Sequence, residues 1–422
     1  LKRNKFLTLK YERLSIFGEP FFMNIILFDD EGRSNLLPLV YTRPCGNLRV
    51  GILTLAEKWE VLCSCTVSYL TEEYLAAKYP AKYDTTNYYV NGRLLPDQTI
   101  LASIQKLKSG EKLTHEGCLI AFRYDEQLDN INDLLGHALE LSHNEQHASF
   151  ITYSHDLFSL NGQEIKKDFE LLTTNRESAS LSETNTLIGD QLFIEEGASI
   201  EAAVINTKGG PVYIGKNATV MEGSLIRGPF SLGEGATIKM GAKLYGDTTV
   251  GPKCKVGGEV SNSLFYGNSN KGHDGFIGNS VIGEWCNLGA DTNSSNLKNN
   301  YAPVKLWNYE KSRFINTGLQ FCGLIMGDHS KCGINTMFNT GTVVGVSANI
   351  FGAGFPRNFI PSFTWGGASG FTTYTLPKVL ETTRVVMLRR NIELDETEKQ
   401  ILKTIFELSE PQRFWENKPL RT

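Results

Sequence analysis

No run of about twenty apolar residues occurs in the 422-residue sequence, so no segment reads as a membrane-spanning helix. No two of the eight cysteines (45, 63, 65, 118, 254, 286, 322 and 332) have CxxC spacing. They read as reduced, buried small hydrophobes of a cytoplasmic protein, and no metal site is expected. Cys322, His329 and Cys332 have the chemistry of zinc ligands, but residues inside a repeating pattern already have a packing role. Positive charge is not in excess: 42 lysines and arginines stand against 46 acidic residues, a net of −4. That balance argues against a nucleic-acid coat and against a polybasic membrane patch. The opening 22 residues have charges scattered through them and so fail as a secretory leader. Met23 directly precedes the apolar run Asn24–Phe28, so residues 1–22 are expected to be an extension with no role in the fold.

What is abundant is glycine, 40 residues concentrated in the second half, together with a period of six. An aliphatic side chain recurs at Ile214, Val220, Ile226, Leu232, Ile238, Leu244, Val250 and Val256. Four residues after each stands Ala218, Ser224, Phe230, Ala236, Ala242, Thr248, Cys254 or Val260, mostly small. Six is neither the 3.6 of a helix nor the two of a sheet face. It is the period of a parallel β-helix, in which each short strand turns one aliphatic residue inward and a small residue fits the corner. The step begins at Ile188, Ile194 and Ile200, and Asn206–Pro211 inserts two residues. It breaks at Asn262–Asp274 and at Asp291–Leu324, and closes with Met326, Cys332, Phe338, Val344 and Ile350. Segments that break so regular a pattern persist where they serve a site, so 262–276 and 291–324 are where the chemistry is expected.

The first half reads as α/β. Strands are expected at Asn24–Phe28, Thr66–Leu70, Tyr88–Val90 and Cys118–Phe122. Helices are expected at Val50–Leu62, Glu72–Lys78, Thr99–Leu107, Ile131–Leu141 and Asn161–Leu172. A strand, a loop and then a helix is how mononucleotide-binding folds open, with the loop facing a phosphate. Beyond Leu376 the pattern becomes helical again, as a cap on the solenoid. The expected division is an extension 1–22, an α/β domain 23–170, a β-helix 185–370 and a helical tail 376–422.

Within the first break, Asn270-Lys-Gly-His273-Asp-Gly-Phe276-Ile-Gly278 leads into Asn287-Leu-Gly-Ala290-Asp. This stretch resembles the bifunctional bacterial family that makes UDP-N-acetylglucosamine, where K-A-G-H-L-x-Y-x-G precedes a hexad ending N-x-G-A-G. The resemblance is close over 185–355 and loose over 23–170. It implies a nucleotidyltransferase-like (Rossmann-like) α/β domain fused to a left-handed parallel β-helix acyltransferase, assembled as a homotrimer. It also implies His273 as general base, Asn287 and Asn296 on the sugar, with Lys271 beside them, and Ala290 along the pantetheine arm of acetyl-CoA. An imidazole suits the step, because an amino sugar must lose a proton to attack a thioester.

Two departures leave the sugar open. The family's tyrosine is Phe276, and its phosphate-binding arginine and lysine have no clear counterpart among Arg227, Lys239, Lys243 and Lys255. Arg384, Arg389, Arg390 and Lys331 are candidates for the coenzyme's phosphates. At the N-terminus the family's L-x-A-G-x-G-T-R becomes Phe28-Asp-Asp-Glu-Gly32-Arg33-Ser-Asn, with one glycine and three carboxylates that would repel phosphate. Arg33, Arg43 and Arg49 are the remaining phosphate candidates, and Asp29 and Asp30 would hold Mg²⁺ if that domain is active. Three readings follow: an N-acetyltransferase on an aminated sugar phosphate, a sugar-1-phosphate nucleotidyltransferase using UTP or dTTP, and a non-catalytic trimeric sugar-nucleotide-binding scaffold.

Overall fold

The computed structural model describes residues 23–128, 140–141 and 148–416. The leader 1–22 and the expected helix at Ile131–Leu141, apart from a short strand Glu140–Leu141, lie outside the described residues. The chain forms two compact units. Of the described residues, one comprises 23–33, 43–48 and those between 53 and 151; the other comprises 34–42, 49–52 and 152–416.

Among the described residues the first unit forms a six-stranded sheet. Its order is Val67–Leu70, Asn24–Phe28, Asn87–Asn91, Cys118–Arg123, Glu111–His115 and Glu140–Leu141. The first three strands run parallel and Cys118–Arg123 is antiparallel to Asn87–Asn91. Strand Asn24–Phe28 is apolar on both faces because both are covered. Ile25 and Leu27 pack with Trp59, Val90 and Ile100, while Ile26 and Phe28 pack with Tyr89 and Phe122. Helix Leu55–Cys63 starts at a capping box. The Thr54 hydroxyl accepts from Glu57 N at 3.1 Å and the Glu57 carboxylate accepts from Thr54 N at 2.8 Å. Strand Glu111–His115 was not expected. It holds one buried apolar residue, Leu113, and so gives no alternation to read.

The second unit is a parallel β-helix with three walls. Strands such as Leu225–Arg227, Phe230–Leu232 and Thr237–Ile238 represent the first, second and third wall. The hexad aliphatics stack in register. Ile194, Ile214, Leu232, Val250, Phe265, Ile282, Met326, Val344 and Ile360 form the inward column of the second wall. All lie in one buried apolar core, and each side chain so buried contributes roughly 1.5–3 kcal/mol. Helix Asp156–Thr173 belongs to this unit. Asn161 accepts from Gly51 N at 2.7 Å and donates to the Asp247 carbonyl at 2.8 Å. Segment 34–42 is held here too, through Thr42 to Asp328 (2.7 Å) and Asn308 to Asn35 (2.8 Å).

The two breaks in the period turn out to differ in kind. At 262–276 nothing is extruded. Strands Glu259–Gly267 and Phe276–Glu284 run from the first wall into the second, and the coil is short: Val250 pairs with Phe265 and Val256 with Lys271, fifteen residues on. Asn262 and Asn279, at φ 42° and 47°, turn the corner in fewer residues. A hexad count registers a shortening and an insertion alike as loss of phase. The second break is a true excursion. Ser294 still pairs with Phe338, so the extra chain leaves after that strand and carries the hairpin Lys305–Asn308 and Arg313–Asn316. The bridge between Leu297 and Phe321 closes its base.

Helices Leu376–Leu388 and Glu396–Leu408 pack on the corner between the second and third walls. There Met387 and Leu394 meet Trp285, and Phe406 meets Phe363 edge-on at 4.9 Å.

Candidate functional site

His273 lies on the corner between the third and first walls, with its side chain exposed. Two residues beyond each inward residue of the third wall, this corner carries Met240, Gly258, His273, Ala290 and Ile334 on successive coils. The backbone bonds Asp291 N to Asp274 O (3.1 Å) and Asn335 N to Ala290 O (2.8 Å) stack them. His273 and Ala290 are therefore neighbours. Gly257 and Gly258 in the coil before, packed on Gly272, Asp274 and Gly275, and Ala290 in the coil after leave little side chain beside this corner, and Met240 and Ile334, 68% and 70% exposed, bound the row with apolar surface.

Asn287 and Asn296 flank this corner on opposite walls. Asn287 is exposed in the outward row of the third wall, in line with Lys255, Asn270 and Lys331. Asn296 donates to Asn279 Oδ1 at 2.8 Å. A Cβ added to Gly278 would touch both the Asn296 amide and the Phe276 ring, so these two side chains meet over the first wall. Of the cations weighed for a phosphate, Lys255 shares the row of Asn287, and Lys243 shares the row of Phe276. Arg390 donates to Asn270 Oδ1 at 3.1 Å, a contact no local motif announced. Lys331 donates to the His329 carbonyl at 2.7 Å, and burial lowers its ammonium to about 8.

Lys271, expected beside the substrate, points the other way. It occupies the inward column of the third wall and is 1% exposed. Its Nζ donates to the carbonyls of Gly257 (3.1 Å) and His273 (2.7 Å). Burial lowers its ammonium to about 8, with Asp274 and Asp291 acting in the opposite sense. Strand alternation, not the composition of the motif, decides this orientation.

In the first unit the carboxylates expected to repel phosphate are paired. Asp29 accepts from Cys45 N (2.8 Å), Thr71 Oγ1 (2.6 Å) and Arg33 Nε (3.1 Å). Asp30 accepts from Gly32 N (3.1 Å), Asn91 Nδ2 (2.8 Å) and two nitrogens of Arg93 (2.7 and 2.6 Å). Burial acts to raise the Asp30 carboxyl, yet the hydrogen bonds and charge of Arg93 hold it below its usual range. So engaged, Asp29 and Asp30 do not fit a divalent cation. Among the described residues no three His, Cys, Asp or Glu side chains converge as a metal site; Cys322 and Cys332 are buried. Arg33 and Arg43 are buried in this unit, whereas Arg49 belongs to the second, where its guanidinium donates to the Ile52 carbonyl. Arg93 follows the strand Asn87–Asn91 by two residues, and no motif marks it in the sequence.

These features define a class: a nucleotidyltransferase-like α/β domain preceding a parallel β-helix. The sugar nucleotidyl transferase family matches residues 25–177. The chain belongs to the family of the uncharacterized acetyltransferase YaiX of Escherichia coli, to which it is 32% identical over 185 residues, covering 43% of this chain and 75% of that one. The bifunctional protein GlmU of Methanocaldococcus jannaschii is 38% identical over 87 residues, 21% of each chain. A bifunctional sugar-1-phosphate nucleotidylyltransferase/acetyltransferase of Sulfurisphaera tokodaii is 33% identical over 106 residues, 25% of this chain and 26% of its own. The chain thus spans about a fifth of the GlmU relative's length and about a quarter of the Sulfurisphaera protein's. Among the described residues no helix is long and apolar enough to cross a membrane.

Proposed function

We propose that the β-helix is an acetyl-CoA-dependent N-acetyltransferase acting on an amino sugar phosphate of the glucosamine-1-phosphate kind. The observation that carries this reading is the exposed imidazole of His273 on a corner kept clear by Gly258 and Ala290, with Asn287 to one side and Asn296 to the other. His273 takes a proton from the sugar nitrogen as that nitrogen attacks the thioester carbonyl. The tetrahedral intermediate then expels the thiolate, which recovers the proton from the imidazolium. Its oxyanion calls for a fixed donor, most simply a backbone N–H of a solenoid corner. Asn287 and Asn296 orient the sugar, and Lys255 and Lys243 supply positive charge to its phosphate. The pantetheine arm follows Ala290. The apolar edges at Met240 and Ile334 favour burial against a further copy of the chain, in keeping with the homotrimer that the family resemblance implies, which light scattering checks.

The test is thiol release from acetyl-CoA with glucosamine-1-phosphate. His273→Ala lowers kcat by about 10²–10⁴, and its exposed side chain leaves thermal stability unchanged. Wild-type turnover in the variant removes His273 from the mechanism.

A second reading is nucleotidyl transfer by the first unit, favoured by the family match over residues 25–177. Pyrophosphate release from UTP or dTTP with a sugar phosphate and Mg²⁺ would support it. With Arg33, Asp29 and Asp30 tied to one another and to Arg93, the first unit on this proposal binds a sugar nucleotide without making one.

A further inference from the structure

The corners between the third and first walls are closed in several coils by a hydroxyl. Ser224 Oγ donates to Met221 O (2.7 Å), Thr292 Oγ1 to Gly289 O (2.7 Å) and Thr336 Oγ1 to Gly333 O (2.8 Å), each reaching back three residues. The corresponding residue in the His273 corner is Gly275, at φ 111°, and in the coil before it Gly258, at φ 72°. Neither has a side chain with which to close its turn, and a Cβ on Gly275 would lie 2.2 Å from the Thr292 carbonyl oxygen. Both glycine-built corners are instead held from inside the coil by the ammonium of Lys271, on the carbonyls of Gly257 and His273. Gly258 also makes room for that ammonium, since a Cβ there would sit 2.8 Å from Nζ.

The residue is unusual for its place. The inward column of the third wall reads Ile200, Val220, Ile238, Val256, Lys271, Leu288, Cys332 and Ile350, and Lys271 alone in it is charged. An aliphatic side chain would fill the position without the cost of burying an ammonium.

We infer that Lys271 is a positioning residue: it pins the two glycine-built corners from within, so that His273 is presented in a fixed orientation with its neighbouring coils bare of side chains. The inference rests on the acetyl-transfer reading for its catalytic consequence, but not for its structural one. Bare corners give an acyl thioester access to the imidazole, and glycine corners without a tether would let the histidine wander. The interior lysine meets both demands at once.

The full-length chain with Lys271→Met tests this. Met is isosteric and apolar, so the variant is expected to fold. Hydrogen exchange should accelerate at least tenfold at the amides of Gly257, Glu259 and Asp291, which donate to the carbonyls of Lys271, Gly275 and Asp274. Amides of distant coils, such as Gly215 and Gly233, should be unaffected. With acetyl-CoA and glucosamine-1-phosphate, kcat should fall at least tenfold while KM for acetyl-CoA stays within twofold. Lys271→Gln keeps N–H donors, should restore part of both protection and kcat, and serves as the readout if the methionine variant does not fold. Unchanged exchange at the two corners, or a uniform increase along the solenoid, overturns the inference. Absence of acetyl transfer in the wild type would sink the acetyltransferase reading, while the exchange data would still decide the role of Lys271.

Discussion

The two units achieve definition by different means. In the solenoid, one aliphatic residue per wall per coil repeats against itself, and register follows from stacking like on like. In the first unit the segments after strands Asn24–Phe28 and Asn87–Asn91 are held by individual charge pairs, Asp29 with Arg33 and Asp30 with Arg93, that nothing repeats. The difference teaches where a departure is informative. Against a periodic background one lysine in an apolar column stands out and asks for a reason. Against the irregular background of the first unit, two aspartates after a strand look like any solvated strand end until their partners, as far off as Arg93, are seen.

The comparison can be sharpened, beginning with the largest effect. Arg93→Ala leaves Asp30 half-buried without its cation, and should cost about 3–5 kcal/mol of stability in denaturant unfolding. A loss within 0.5 kcal/mol, the range roughly usual for surface substitutions, would make the pair ornamental. In the solenoid, Ile238→Ala removes one member of a stacked column and should cost about 2–5 kcal/mol. A much smaller loss would mean that neighbouring coils close the gap. A third experiment isolates the odd residue of the column. The Lys271 ammonium is lowered from 10.5 to about 8, so between those pH values the unfolded chain binds more protons than the folded one. Stability from this group is therefore lowest below pH 8 and rises as pH climbs toward 10.5. Relative to Lys271→Met, the wild type should gain on the order of 3 kcal/mol across that window. A flat difference would contradict a buried ammonium.

Much of the site's neighbourhood could be read from the residues. The hexad period fixed which side chains face inward at Leu232, Ile238 and Leu244, and the Asn270–Gly278 stretch drew attention to His273, Asn287, Ala290 and Asn296. The same period misled at 262–276, because a coil shortened at Asn262 and Asn279 loses phase just as an extruded loop does. Lys271 was taken for a substrate contact since local sequence records a residue's neighbours but not the wall it faces. Arg390 on Asn270, and Arg93 on Asp30, join segments 120 and 63 residues apart and leave no trace in any window of sequence.

The sequence by itself determined the solenoid, because a six-residue step is a local rule that each coil obeys independently and the stack then satisfies automatically. Only the tertiary structure decided which charges are held and by what. Whether an ammonium meets two carbonyls inside a coil, or a carboxylate meets a guanidinium across a sheet, depends on chain segments that approach each other in space alone.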